Sequence, residues 1–184
     1  MNREARVNPQ PGPTFASTEV ATFWRYLSSS LDRLVRVLDG RSVAELNWRP
    51  PASNSNSMQA LATHTLANAQ VNILGTLCGQ EISRDRDTEF TVVADDLGRT
   101  GISWPAVRRT LEGALAGVTD DSLDAKYSHH WRGHITGREI LIIVARHAAE
   151  HLGQAELTRD LAVTALSAEP ADMTSAARNY DDPG

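Results

Sequence analysis

The sequence has one cysteine, Cys78, and one lysine, Lys126. Without a second thiol there can be no internal disulfide, no CxxC redox pair and no thiolate-rich zinc site, so any bound metal must rely on histidine and carboxylate. The scarcity of lysine beside abundant arginine and alanine reads as the imprint of a GC-rich genome. An excess of basic residues is also missing, with a formal net charge of -5. That balance argues against an electrostatic nucleic-acid binder, which gathers Lys and Arg into a patch. The start of the chain lacks the apolar run of roughly 7 to 15 residues that marks a secretory signal. Met1 to Arg6 lead instead into Pro9, Pro11 and Pro13, and residence in the cytoplasm is the expectation. Between Arg49 and Glu81 there is no formally charged side chain. This stretch is still not expected to enter a membrane, because a span needs about 20 predominantly apolar residues. Here Gln59, His64, Asn68, Gln70 and Asn72 would stand unpaired in hydrocarbon.

The chain does have the length and apolar content for one folded domain: 184 residues, 41% hydrophobic and 22% charged. Residues 1–16 are Pro-rich without an apolar period and read as a flexible arm. Residues 17–166 carry the helical periodicity of an all-α domain, and 167–184 read as a mobile tail poor in large apolar side chains. The first helix starts at Thr18, with Val20, Phe23, Trp24, Leu27, Leu31, Leu34 and Leu38 as its inward stripe and Gly40 as a left-handed C-terminal cap. Ser42-Val43-Ala44-Glu45 has capping-box form and predicts a short helical turn. The uncharged stretch predicts a second, buried helix capped by Asn56, with Gln59, Thr63 and Gln70 as a narrow polar stripe. With apolar residues around most of its circumference it is expected to be covered on several sides, a dimer contact being one candidate. Residues 81–101, with an extended-looking Thr91-Val92-Val93, form a long connection, able to run back along a helix of ~24 residues and ~36 Å. Ser103 and Pro105 open a third helix facing inward with Val107, Leu111, Ala114, Leu115 and Val118. Asp120 to Ile135 read as irregular, and Thr136-Gly137-Arg138-Glu139 opens the longest helix, which runs to about Leu166.

On that last helix, at about 100° per residue, Ile140, Ile143, Val144, His151, Gln154, Ala155 and Thr158 share a face with His147. Arg138, Arg146, Glu156 and Asp160 take the opposite face. His147 and His151 are one turn apart, about 6 Å along the axis, a spacing that lets two imidazoles reach one divalent ion. A catalytic zinc-type site takes about three protein ligands and keeps an open position. The third must come from another helix, and His64 is the only other histidine in a predicted one. Three neutral, hydrogen-bonded core histidines are the competing reading. His129, His130 and His134 are rival ligands from a Gly-containing loop, which otherwise serves as a solvated loop or a lid. Cys78 lies ~14 helical residues, about 21 Å, from His64 and is excluded as its partner. His147-Ala148-Ala149-Glu150-His151 has alanine where zinc proteases place a general-base glutamate, so peptidase chemistry of that kind is not expected.

Leu46-Asn47-Trp48-Arg49-Pro50, with Asn56-Ser57-Met58-Gln59-Ala60-Leu61-Ala62-Thr63-His64, resembles the second helix of the DinB/YfiT-like metalloenzymes and the loop leading into it. Arg146-His147-Ala148-Ala149-Glu150-His151-Leu152-Gly153-Gln154 is similar to that family's last-helix motif, His-x-x-x-His followed by Gly-Gln. The resemblance covers about Thr18 to Leu166. It implies a four-helix bundle with a long crossover between the second and third helices, often dimeric. It further implies zinc, nickel or a similar ion held on three histidines, and carries that role to His64, His147 and His151. Some members are mycothiol- or bacillithiol-dependent isomerases or S-transferases, and others bind iron within sulfoxide synthases. No counterpart of the synthases' second domain is expected here, and the GC-rich bias points to the mycothiol branch.

These readings combine into one expectation: a small thiol bound as thiolate at the metal's open position, transferred to or isomerising a small-molecule substrate. Asn68 and Gln154, each a turn beyond a histidine, are candidates to orient a ligand or a bound water. Arg49 and Arg132 are candidates to meet a carboxylate at the site's mouth. Metal-dependent hydrolysis and a metal-stabilised binding protein without turnover remain open.

Overall fold

A computed structural model describes residues 13–95 and 101–167, and these are mostly helical. Helix α1 (Thr18–Arg36) starts where Ser17 Oγ accepts from the amides of Glu19 and Val20, both at 3.2 Å. These are orphan first-turn donors that an N-cap satisfies. Val20, Trp24, Leu27, Leu31 and Leu34 are buried along one face, and Gly40 closes the turn at φ +68°. Helix α2 (Val43–Asn47) carries the reciprocal Ser42/Glu45 capping box that the sequence announces. Helix α3 (Met58–Gln70) is capped by Ser57, not by Asn56. From Ser57 the hydroxyl reaches the Ala60 amide at 3.2 Å, the three-residue span of an N-cap, so the helix begins one residue later than expected. Gln59, expected on a polar stripe, is fully buried.

The α-helical ladder then gives way to a π-helical segment, Val71–Leu77. The Cys78 amide bonds back to the Ile73 carbonyl at 2.9 Å, and Asn72 Nδ2 to the Asn68 carbonyl at 2.9 Å. The widened turn belongs to a class that concentrates at functional sites. The connection after it holds a short helix, α4 (Arg86–Glu89), while Thr91–Val93 join no sheet among the described residues. Asn47 pins the connection's far end, accepting from the Ala94 amide at 2.8 Å and donating to its carbonyl at 3.2 Å.

Helix α5 (Trp104–Ala116) opens at Ser103 with Pro105 in its first turn. It buries Trp104, Leu111 and Leu115, with Val118 just beyond the helix. Its polar side meets α1: Trp104 Nε1 donates to Asp32 at 2.6 Å and Trp24 Nε1 to Glu112 at 3.1 Å, with Arg108 bonded to both acids. The segment expected to be irregular is ordered. It forms helix α6 (Asp120–Asp124) and an antiparallel hairpin of β1 (Lys126–His129) and β2 (Gly133–Thr136). Its loop, His130-Trp131-Arg132, ends on Gly133 at φ +70°, the left-handed residue that a three-residue hairpin loop requires.

Helix α7 (Gly137–Ser167) starts from the Thr136/Glu139 capping box. It packs against α1, α2, α3 and the π segment, burying Ile140, Val144, Ala148, Leu152, Ala155 and Thr158. Gly137 is wedged where a Cβ would stand 2.5 Å from the Ser122 carbonyl oxygen. Residues 1–12 of the expected arm and 168–184 of the expected tail lie outside the described residues. The arm's last residue is anchored, with the Ala16 amide bonded to the Ala116 carbonyl at 2.9 Å. No described helix is long and apolar enough to cross a membrane.

Candidate metal centre

Helix α3 delivers His64 and helix α7 delivers His147 and His151 to one point. Nε2 of His147 lies 3.1 Å from Nε2 of His64 and 3.1 Å from Nε2 of His151. One ligand atom from each ring falls within 4.8 Å of the other two. His64 is buried, and the α7 pair is half-buried.

The outer nitrogens fix which side of two of these rings carries a lone pair. His64 Nδ1 lies 2.8 Å from Glu89 Oε2. A carboxylate can only accept, so Nδ1–H donates and Nε2 keeps its lone pair. His151 Nδ1 donates in the same way to Gln154 Oε1 at 2.7 Å, leaving its Nε2 lone pair free. Two lone pairs thus face the His147 Nε2, which has at most one proton to offer and can satisfy only one of them. A cation shared by the three nitrogens removes the mismatch, and the donor set suits zinc, nickel or iron. The residues therefore fit a divalent metal. His147 Nδ1 is buried without a hydrogen-bond partner, as is Asn68 Oδ1.

Glu89 carries no signal in the sequence pattern. It sits at the end of α4, and Arg84 grips both its oxygens, Nε at 2.5 Å and Nη2 at 2.8 Å. Burial alone would raise the Glu89 carboxyl. The hydrogen bonds from Arg84 and His64 outweigh it and hold the group below its ordinary value, so it stays ionised. Burial lowers His64 despite Glu89. His147 falls furthest, to about 3, through burial and then the neighbouring His151 and His64. Both rings are therefore neutral near pH 7, the form in which imidazole ligates. The Phe90 ring packs on His64 with centroids 4.5 Å apart.

A cavity of about 430 Å³ opens beside His64 and His147. Asn68, expected to orient a ligand, is on its wall, while the bond to His64 Nδ1 goes to Glu89. Gln154 touches His151 directly, although its side chain is exposed on the helix and not turned into the core. Of the three rival histidines, His129 is buried with both nitrogens engaged. Its Nδ1 accepts from the Trp131 amide at 3.2 Å, and its Nε2 lies 3.1 Å from Asn72 Oδ1. His130 stacks on it at 4.6 Å and faces the cavity. His134 is exposed on β2. None of them joins the three converging rings. Arg132 is on the cavity wall, whereas Arg49 bonds to the Phe90 carbonyl. The buried Ala148 offers no base, and the nearby Glu150 is exposed and paired with Arg146 at 2.8 Å.

Residues 26–155 match the model of a family described as the DinB superfamily, a span that contains all three histidines. Among solved structures, a conserved protein from Enterococcus faecalis is similar, with a TM-score of 0.62 and 19% identity over 81% of this chain and 99% of that one. At that identity the likeness speaks for the fold alone. No curated protein matches the chain.

Proposed function

The chain belongs to the DinB superfamily, and from that premise we propose that His64, His147 and His151 together hold one divalent cation, zinc or nickel first and iron as a further candidate. The observation that carries this reading is the meeting of three Nε2 atoms while the outer nitrogens of His64 and His151 are committed to acceptors. The proposed architecture is a four-helix bundle of α1, α3 with its π segment, α5 and α7. Residues 78–103 are its crossover, and a homodimer is its working form.

The proposed activity is a thiol-dependent S-transfer or isomerisation of the mycothiol type in the cytoplasm. Held by His64, His147 and His151, a divalent cation would supply Lewis acidity that lowers the pKa of a small thiol toward the neutral range. The chain's own residues position that chemistry. Glu89, clamped by Arg84, aims the His64 lone pair, Gln154 aims that of His151, and Phe90 covers the ring of His64. Hydrolysis is the weaker alternative, because it calls for a base to take the proton of water. Glu89, the carboxylate bonded to the cluster, has both oxygens occupied.

Metal analysis of purified protein and of His147→Ala tests the site. About one equivalent in the first and near none in the second is expected, and equal content in both would refute it. Turnover of electrophilic substrates by metal-loaded protein, with and without a low-molecular-weight thiol, tests the reaction. Cleavage that ignores the thiol would point to hydrolysis, and inertness with bound metal to a binding protein.

A further inference from the structure

The wall of the cavity beside the histidines contains four arginines, Arg84, Arg86, Arg132 and Arg146, and no aspartate or glutamate. This holds in a chain whose formal net charge is -5. Two of the four are compensated: Arg84 by Glu89 at 2.5 Å and Arg146 by Glu150 at 2.8 Å. The other two have no carboxylate partner among the described residues. Arg86 lies over the Phe90 ring, 5.3 Å from its centroid, and Arg132 stands in the hairpin loop. Two guanidinium groups on one concave wall thus have no counter-charge among the described residues.

We propose that this cavity binds a small dianion, with carboxylate or phosphate oxygens on Arg86 and Arg132 and the rest of the molecule reaching toward His64 and His147. The guanidinium fork matches such oxyanions in pairs of parallel hydrogen bonds, and a concave wall of one charge sign concentrates ligands of the other. The volume of about 430 Å³ suits a small metabolite and lies in the lower part of the ~300–1,000 Å³ range of small-molecule sites. Trp131, 73% exposed on the same wall, flanks the ligand. That the dianion is the substrate rests on the metal-centre reading; that it binds does not.

The test titrates the full chain at pH 8 with succinate, inorganic phosphate and neutral succinamide, followed by Trp131 fluorescence and by calorimetry. Saturable binding of an anion, none of succinamide, and at least a ~10-fold loss in Arg86→Gln/Arg132→Gln are expected, equivalent to ~1.4 kcal/mol. Both arginines are exposed, and unchanged metal content and circular dichroism of the double variant show that it folds. Tighter succinate binding assigns a dicarboxylate and tighter phosphate binding a phosphoester, and either supports the proposal. Equal binding of succinamide, binding unaffected by the double substitution, or failure of both anions to saturate at millimolar concentration overturns it. The two readings fail separately: His147→Ala is read by metal content alone, and Arg86→Gln/Arg132→Gln, which leaves the three histidines untouched, is read by anion binding.

Discussion

Replacing Glu89 by glutamine changes almost no volume yet reverses the logic of the site. The carboxylate is 5% exposed and accepts from three donors, His64 Nδ1 at 2.8 Å and Arg84 at 2.5 and 2.8 Å. An amide offers one oxygen, so its NH2 must point at either Arg84 or His64, donor against donor. Removing one partner of a buried ion pair costs about 3–5 kcal/mol. The Arg84 side chain retains 14% exposure, so some water reaches it and about 3 kcal/mol is the expected loss. For a domain of this size that lowers Tm by ~6–12 °C, at ~2–4 °C per kcal/mol. Because His64 is no longer held in the tautomer that presents Nε2, metal affinity should fall by ~10–100-fold. Urea unfolding of the metal-free protein and chelator competition for zinc read the two effects separately. In Arg84→Met/Glu89→Gln the amide is free to turn its oxygen to His64, and both losses should be partly restored. A Glu89→Gln protein within ~0.5 kcal/mol of wild type and with an unaltered zinc Kd would refute the reasoning.

Three further outcomes follow from named contacts. In the metal-free protein, unfolded His147 takes a proton near its ordinary 6.5 and folded His147 only at about 3. Acid therefore favours the unfolded state between those values, by ~1.4 kcal/mol per pH unit. Above that window this group contributes no pH dependence. Urea unfolding of His147→Leu should show a slope shallower by that amount between pH 6 and 5. Gly137→Ala should cost ~1–3 kcal/mol, an overpacking penalty, because the new Cβ would meet the Ser122 carbonyl at 2.5 Å and the Leu123 Cα at 3.1 Å. A thermal melt matching wild type would contradict that. Ser57→Ala should lose ~1 kcal/mol in urea while Asn56→Ala loses little, since only Ser57 caps α3.

The parts of the centre that follow a helical period are legible in the amino-acid sequence. His147 and His151 share a face of α7, and His64 interrupts an uncharged helix, so period and spacing alone suggest one ion between them. Arg84 and Glu89 escape because they lie in a polar connection without periodicity, and Glu89 is 25 residues from the ring it holds. Only folding brings that carboxylate to α3. The hairpin escapes for a related reason. Its strands have four residues each, too few to show alternation against the surrounding polar residues, although Gly133 carries a turn signal. Asn56 and Ser57 are both good caps, and composition cannot choose between neighbours that differ only in which hydroxyl or amide reaches three residues ahead.

His64 and His147 stand 83 residues apart in the chain. On a ribosome the first ring emerges long before the second, and a lone imidazole retains a divalent cation poorly. A cation held by all three rings would have to load after α7 has been synthesised and docked against α3, because closing so long a loop is an entropic cost met only by the packed helices. On the proposed reading the finished fold, and not the nascent chain, would select the ion from whatever the cell offers at that moment.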